Sequence, residues 1–119
     1  MPTLVRAEAS IVVVEDPLVG RLVHRLLDQH GYTVHEESPE AALHLLRGPM
    51  PVVSLIVTNT PGLFLPFADQ VRLLYMAACP DYQLAKRFPV CRVIQKPFHP
   101  DELVSAVEAL MNSEPQYLQ

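Results

Sequence analysis

The stretch VSLIVTNTPG, residues 53–62, contains the feature on which the interpretation of this sequence depends. Its first part is apolar and rich in β-branched residues, which is typical of a strand buried on both faces of a parallel sheet. A turn follows at once, in the residues NTPG. In open α/β sheets, binding and catalytic residues usually lie at the carboxyl ends of the strands. Asn59 therefore occupies a place where a functional group is expected, although an amide is a poor nucleophile and a weak metal ligand.

Further strand patterns lie on both sides of this stretch. Apolar or alternating segments predict strands over residues 10–14, 32–36, 52–58, 71–77 and 91–95. Helical patterns separate most of these strands. Strands that alternate with helices predict a parallel α/β sheet with both faces covered and right-handed crossovers.

The helices have recognisable starts and stops. Capping residues or prolines favour helix starts at Asp16, Ser38 and Pro100, with a short helix over residues 81–88. Gly31 and Gly48 are placed to end the first two helices. The expected apolar sides are formed in the first helix by Leu18, Leu22 and Leu26 with Val19 and Val23, in the second by Ala41, Ala42, Leu45 and Leu46, and in the last by Leu103, Ala106, Val107 and Leu110.

The third crossover is unusually short. About a dozen residues, NTPGLFLPFADQ, separate two predicted strands, and a crossover with its helix needs at least ~10–12. Because Pro61, Gly62 and Pro66 interrupt this segment, we expect one helical turn at most, near residues 66–70, or an irregular cover. Two interpretations of its apolar residues remain open, a cover for the sheet and a surface for a partner; these residues are Leu63, Phe64, Leu65 and Phe67.

Composition and charge narrow the function classes. The 119 residues suit one domain, predicted over residues 10–112, with a flexible leader at 1–9 and a flexible tail at 113–119. The net charge of −4 argues against a nucleic-acid partner. The sequence contains neither an apolar run of ~18 residues nor the apolar core of a signal peptide, so no membrane partner is expected.

The cysteines and histidines show no pattern of a catalytic or metal site. Cys79 and Cys91 form no CxxC pair, and we expect free thiols in a reducing cytoplasm, which makes the expected localisation cytoplasmic. His24 and Asp28 are expected to form a surface pair at i, i+4 spacing. The five histidines lack metal-ligand spacing and are interpreted as solvated or capping residues; they are His24, His30, His35, His44 and His99.

Several fragments together resemble the receiver domain of bacterial response regulators, the CheY-like superfamily. They are IVVVEDPLVGRLVHRLLDQHGY, SLIVTNTPG, VRLLYMAACPD and VIQKPFHPDELVSAVEALM, and the most specific of them is KPFHPDEL. The resemblance implies a flavodoxin-like (βα)5 three-layer sandwich with strand order 2-1-3-4-5, here with a shortened third crossover helix. It also implies two-component signal transduction and phosphorelay, in which a kinase histidine passes a phosphoryl group to an aspartate that ends the third strand.

Three functional positions of that family lack the usual residue here. The resemblance places Asn59 at the phosphoacceptor position, Ala77 or Ala78 at a hydroxyl-bearing position that ends the fourth strand, and Val93 at the aromatic position of the fifth. An amide cannot form a stable acyl phosphate, so Asn59 removes the acceptor. The alanine lacks the hydroxyl, and Val93 lacks the aromatic ring, that in the family respond to phosphorylation. These two losses are independent of the loss at Asn59.

Other functional positions are retained. The resemblance implies an acidic pocket of Glu15 and Asp16 that holds Mg²⁺, and a lysine and proline at Lys96 and Pro97 with a cis peptide bond between them. Without an acceptor carboxylate, Glu15 and Asp16 are expected to bind Mg²⁺ weakly at best, and no other cofactor is expected. Lys96 is then expected to pair with Glu15 or Asp16, and to add on the order of 0–1 kcal/mol if that pair is exposed.

The sequence therefore predicts a pseudo-receiver, a module that is not an enzyme and works through protein contact. The expected partner is a histidine kinase or another signalling protein, docked near residues 81–88 and 101–111, and a homodimer through the last helix is also compatible with the sequence. Two alternatives remain open. One is a working phosphoacceptor with an atypical site, and the other is a small-ligand binder at the carboxyl edge of the sheet.

Overall fold

The fold contains one parallel sheet of five strands. The structure, a computed structural model, describes residues 10–48 and 53–112, so the expected leader, the expected tail and Val52 lie outside the described residues. The strands follow the spatial order β2-β1-β3-β4-β5; they are β1 Ser10–Val14, β2 Thr33–Glu36, β3 Val53–Thr58, β4 Leu73–Ala77 and β5 Cys91–Gln95. All neighbouring strands run parallel. The predicted flavodoxin-like α/β fold and its strand order are confirmed.

The central strands are buried on both faces, which explains their continuous apolar sequences. Side chains alternate along a strand, so Ile11 and Val13 join a core on one face of the sheet while Val12 and Val14 join a second core on the other. Leu55 and Ile56 of β3 divide between the two cores in the same way. The apolar runs of β1 and β3 therefore reflect strands that are covered on both sides.

Helices cover both faces. They are α1 Pro17–Gln29, α2 Pro39–Arg47, α3 Tyr82–Ala85 and α4 Pro100–Met111. α1 and α4 pack on the first core, whereas α2 and α3 pack on the second. The buried residues of α4 are Leu103, Ala106, Val107 and Leu110, as predicted. α3 has four residues, fewer than the predicted range 81–88. Within the described ranges no helix is long and apolar enough to cross a membrane.

The helix starts follow the capping residues with one exception. Ser38 accepts a hydrogen bond from the amide of Ala41, and Asp81 accepts from Gln83 and Leu84. At α4, His99 is the N-cap of a capping box with Glu102. Asp16 occupies the N-cap position of α1, but its side chain makes no capping bond, so that part of the prediction is wrong.

The buried side of α1 agrees only in part with the expected one, since Val23 is buried and Val19 and Leu26 pack against the first core as predicted, whereas two leucines do not. Leu18 is 81% exposed and Leu22 is 46% exposed, whereas Gly20, Val23 and Leu27 are buried. Each step of four residues turns about 40° beyond a full helical turn, so leucines at this spacing drift across the helix surface. Leu18 and Leu22 consequently face solvent.

The third crossover is a 3-10 helix, Pro61–Phe67. The prediction of one helical turn at most near residues 66–70 is therefore wrong in position and in length, because the 3-10 helix has seven residues, or about two turns, although the predicted shortening of the crossover is confirmed. Phe64 is fully buried in the second core, and Leu65 and Phe67 are half-buried against it. Leu63 is 40% exposed. Most of this apolar run thus covers the sheet, because the segment is too short for an ordinary crossover helix.

Candidate functional site

The candidate site lies at the carboxyl edge of the sheet. Val14 of β1 pairs with Thr58 of β3, so Glu15 and Asn59 follow adjacent strand ends. Ala77 of β4 pairs with Gln95 of β5, and Lys96 comes next along the chain. The topology thus gathers at one edge residues that are far apart in sequence, as the order of parallel strands requires.

Lys96 and Glu15 form an ion pair at this edge, with Nζ 3.0 Å from Oε1. The Glu15 side chain has no exposed surface, and that of Lys96 is 20% exposed. The predicted pairing of Lys96 is therefore confirmed, with Glu15 as the partner. Because the Glu15 side chain is buried, the small contribution expected of an exposed pair does not apply, and loss of the Lys96 ammonium would leave the Glu15 carboxylate buried without a partner charge.

The two oxygens of Glu15 have different surroundings. Oε1 accepts a hydrogen bond from Nζ of Lys96 and one from the amide of Asp16, at 3.2 Å. Oε2 is buried and has no hydrogen-bond partner among residues 10–48 and 53–112. Burial raises the pKa of Glu15, and the hydrogen bond and charge of Lys96 oppose this rise. The carboxylate is thus only partly compensated, and its proton affinity is higher than that of an exposed glutamate.

The donor set at this edge does not fit a Mg²⁺ site. Mg²⁺ needs near-octahedral oxygen ligands, commonly including one or two carboxylates. Here Lys96 engages Oε1 of Glu15, Asp16 is exposed, and Asn59 offers only a neutral amide. In the part of the chain that the structure describes, no group of three or more His, Cys, Asp or Glu side chains could hold a metal ion.

The residues that end and follow β4 carry no hydroxyl group, and the middle residue of β5 is not aromatic. Ala77 is half-buried and Ala78 is exposed, and the carbonyl of Ala78 accepts a hydrogen bond from Nε2 of Gln95. Val93 is half-buried on β5 beside Tyr75 of β4. After β5, the Lys96–Pro97 peptide bond is cis, as expected from the resemblance.

Tyr75 is a residue that the sequence reasoning missed. It is 5% exposed, and its hydroxyl accepts a hydrogen bond of 3.0 Å from the amide of Asp81. Asp81 in turn caps α3. Tyr75 therefore ties the loop after β4 to the sheet. Its only signal in the sequence is that it is the one aromatic residue within the predicted strand 71–77.

The turn after β3 is held by a second side chain that the sequence reasoning left without a structural role. Thr58 is buried, and its hydroxyl accepts a hydrogen bond of 3.0 Å from the amide of Thr60. The two threonine hydroxyls lie 3.2 Å apart. Side-chain bonds of this kind stabilise turns. Asn59, which lies between these two threonines in the sequence, is half-buried.

Solved structures with a similar fold are receiver domains. The signal receiver domain of an HD domain-containing protein from Pseudomonas fluorescens Pf-5 is 21% identical, with a TM-score of 0.71 over 89% of this chain and 88% of that one. A response regulator from Thermotoga maritima is 21% identical, with a TM-score of 0.69 over 88% and 98%. A receiver protein from Burkholderia phymatum is 21% identical, with a TM-score of 0.70 over 91% and 98%. The chain has a receiver-like fold. Neither a protein-family model nor the sequence of a curated protein matches it.

The sequence also drew attention to histidines and cysteines that lie away from the carboxyl edge of the sheet. His24 pairs with Glu36 at 2.7 Å, so the expected pair with Asp28 is wrong, because α1 turns His24 toward the end of β2. Cys79 and Cys91 are free thiols, as predicted. Burial raises the pKa of Cys91 to about 11, which makes it a poor nucleophile at neutral pH.

Proposed function

We propose that this receiver-like domain is a pseudo-receiver, a non-enzymatic signalling module that binds a protein partner without being phosphorylated. The observation that supports this most strongly is that the neutral Asn59 follows the strand next to that of Glu15, whose carboxylate is already paired with Lys96. Phosphoryl transfer to a receiver needs a carboxylate nucleophile and cations that neutralise the developing charge. In this chain the residue at the position of the nucleophile is Asn59, whose amide cannot take that role. The ammonium of Lys96 is already paired with the carboxylate of Glu15.

The absence of reporting groups supports the same proposal. Ala77 and Ala78 have no hydroxyl that could bind a phosphoryl oxygen, and Val93 has no ring that could change its position. Tyr75, the neighbouring aromatic residue, is buried and hydrogen-bonded to Asp81. The loop after β4 is therefore tied down by a contact that does not depend on a phosphoryl group.

The partners follow from this proposal. We expect a histidine kinase or another signalling protein in the cytoplasm, and self-association of the chain is a further candidate. The net charge of −4 disfavours nucleic acid. Mg²⁺ binding at Glu15 and Asp16 is expected to be weak at best, because Lys96 competes for the same carboxylate.

Mass spectrometry of the intact chain tests the proposal. After incubation with acetyl phosphate and Mg²⁺, we expect no phosphoryl adduct, while a receiver domain that has the acceptor aspartate is labelled under the same conditions. Beryllofluoride should likewise leave the amide spectrum of this chain unchanged. An adduct on any residue would overturn the proposal and favour the atypical phosphoacceptor. Saturable shifts at the carboxyl edge with nucleotides or anions would favour the small-ligand binder.

A further inference from the structure

The turn after β3 holds the backbone nitrogen that follows Asn59. The amide of Thr60 donates a hydrogen bond of 3.0 Å to the hydroxyl of Thr58. Thr58 is fully buried, and it pairs in the sheet with Val14 of β1 on one side and Tyr75 of β4 on the other. We call this hydrogen bond between Thr58 and Thr60 the β3 clamp. It ties an amide of the turn to the centre of the sheet.

The same nitrogen is the atom through which Asn59 can lose its amide group. Asparagine is among the thermolabile residues of proteins, because it deamidates. In this reaction the nitrogen of Thr60 loses its proton and attacks the side-chain carbonyl carbon of Asn59. A bond between that nitrogen and that carbon forms, the bond from the carbon to the NH2 group breaks, and ammonia leaves with the proton. Water then opens the succinimide ring and produces aspartate or isoaspartate, so that a carboxylate replaces the neutral amide.

The surroundings of Thr60 oppose this reaction. Its amide must leave the β3 clamp before its nitrogen can attack, and breaking a hydrogen bond costs free energy. The acceptor is a neutral hydroxyl, which is a weak base and does not remove the proton. The hydroxyl of Thr60 also lies 3.2 Å from that of Thr58, so its side chain is held as well. Thr60 is β-branched, which restricts its side-chain rotation and crowds its own nitrogen.

We propose that Thr58 is a positioning residue that protects Asn59 from deamidation and so keeps the carboxyl edge from acquiring an aspartate. Asn59 follows the strand next to that of Glu15, whose buried carboxylate already has Lys96 as its ion-pair partner. A carboxylate at position 59 would add a negative charge at this edge and would supply the kind of nucleophile that phosphoryl transfer needs. This inference rests on the proposed function, which requires the amide at position 59, and it identifies how the fold preserves that amide.

Peptide mass spectrometry of the full chain during long incubation in mildly alkaline buffer tests the inference. Replacement of the NH2 group by OH changes the peptide mass, and chromatography separates isoaspartate from aspartate. We expect Asn59 to deamidate at least about fivefold more slowly in the folded chain than in the urea-unfolded chain, the factor that corresponds to about 1 kcal/mol for one hydrogen bond. Equal rates at Asn59 in the folded and the unfolded chain would overturn the inference.

Two substitutions at Thr58 separate the effect of its hydroxyl from that of its shape. Thr58→Val removes the hydroxyl but keeps the β-branched shape, and it should raise the rate at Asn59 at least about fivefold. Thr58→Ser keeps the hydroxyl and should retain most of the protection. Asn112, the other asparagine of the chain, is exposed and should deamidate at the same rate in both variants. Equal rates at Asn59 in the two variants would show that the hydroxyl of Thr58 does not protect it.

A destabilising change away from the turn controls for general unfolding. Val107 belongs to the first core, so Val107→Ala lowers stability by leaving a cavity beneath α4. Asn59 should deamidate in this variant as slowly as in the wild-type chain. Hydrogen exchange adds a local measurement, because the amide of Thr60 should exchange faster in Thr58→Val and stay protected in Thr58→Ser. A rate at Asn59 in Val107→Ala as high as that in Thr58→Val would assign the protection to the whole fold and overturn the role of Thr58.

The inference and the proposed function fail in different experiments. If Asn59 deamidates freely in the folded chain, and the chain with Asn59 intact gains no phosphoryl adduct, the inference is wrong and the pseudo-receiver stands. If the chain with Asn59 intact does gain an adduct, the proposed function is wrong, while slow deamidation that depends on the Thr58 hydroxyl still supports the β3 clamp.

Discussion

Replacing Lys96 with methionine tests whether the ion pair at the carboxyl edge holds a buried charge. Lys96→Met keeps most of the side-chain volume but removes the ammonium that lies 3.0 Å from Oε1 of Glu15. Because the Glu15 side chain is wholly buried, water cannot replace that ammonium. We therefore expect the variant to have a clearly lower free energy of unfolding at neutral pH.

Protonation of Glu15 sets a ceiling on this loss. A buried carboxylate that has lost its cation can take up a proton, which costs about 1.36 kcal/mol for each pH unit above the ordinary pKa of 4.5. At about pH 7 the ceiling is about 3.4 kcal/mol, near the lower end of the roughly 3–5 kcal/mol typical of a broken buried pair. At about pH 5 only about 0.7 kcal/mol remains.

The pH dependence has a defined sign. Burial raises the pKa of Glu15, so the folded state binds this proton more tightly than the unfolded state does. The stability that protonation contributes is present in full below the ordinary pKa of 4.5 and is lost as the pH rises through the raised pKa. Removal of Lys96 raises the pKa further, so in the variant the decline extends to higher pH.

Urea unfolding followed by circular dichroism, at about pH 5, 6 and 7, measures the effect. Lys86→Met is the matched control, because Lys86 is exposed, and its stability should change by less than about 0.5 kcal/mol. Adding Glu15→Gln to Lys96→Met removes the carboxylate and should recover most of the loss. A loss in Lys96→Met below about 0.5 kcal/mol at pH 7, or one that is equal at pH 5 and pH 7, would refute the reasoning.

Three further predictions concern other parts of the fold. Tyr75→Phe leaves the amide of Asp81 without its partner and should cost about 1 kcal/mol, with faster hydrogen exchange at that amide; unchanged exchange would contradict the proposed tie. Gly20→Ala should raise the free energy of unfolding by about 0.5–1 kcal/mol, since the new Cβ meets no atom closer than 3.5 Å; a lower melting midpoint would contradict this. At about pH 8, iodoacetamide should modify Cys79 well before Cys91, because the raised pKa of Cys91 lowers its thiolate fraction about 100-fold; equal labelling in peptide mass spectra would count against its burial.

Much of the fold could be predicted from local patterns. β1 begins at Ser10 and ends at Val14, as the apolar run predicts, and α4 begins at Pro100 as its proline predicts. The pairing of Lys96 with an acid of the first strand end was also predictable. Parallel strands bring their carboxyl ends to one edge of the sheet. Because β3 and β4 lie between β1 and β5, the pairing of Lys96 with an acid after β1 was predicted from the resemblance to receiver domains and not from the strand order alone.

Tertiary packing decided the rest. The leucine spacing in α1 could not show which side is buried, because both sides carry apolar residues and the choice depends on how Val23 and Leu27 meet the first core. Likewise, His24 pairs with Glu36 and not with Asp28, because β2 ends beside α1. The i, i+4 spacing in the sequence could not show this. The Glu15 side chain has no exposed surface, and this burial, which distinguishes its pair with Lys96 from a surface ion pair, could not be predicted from local sequence patterns. Sequence patterns record short-range periodicity, whereas solvent exclusion is a property of the assembled layers.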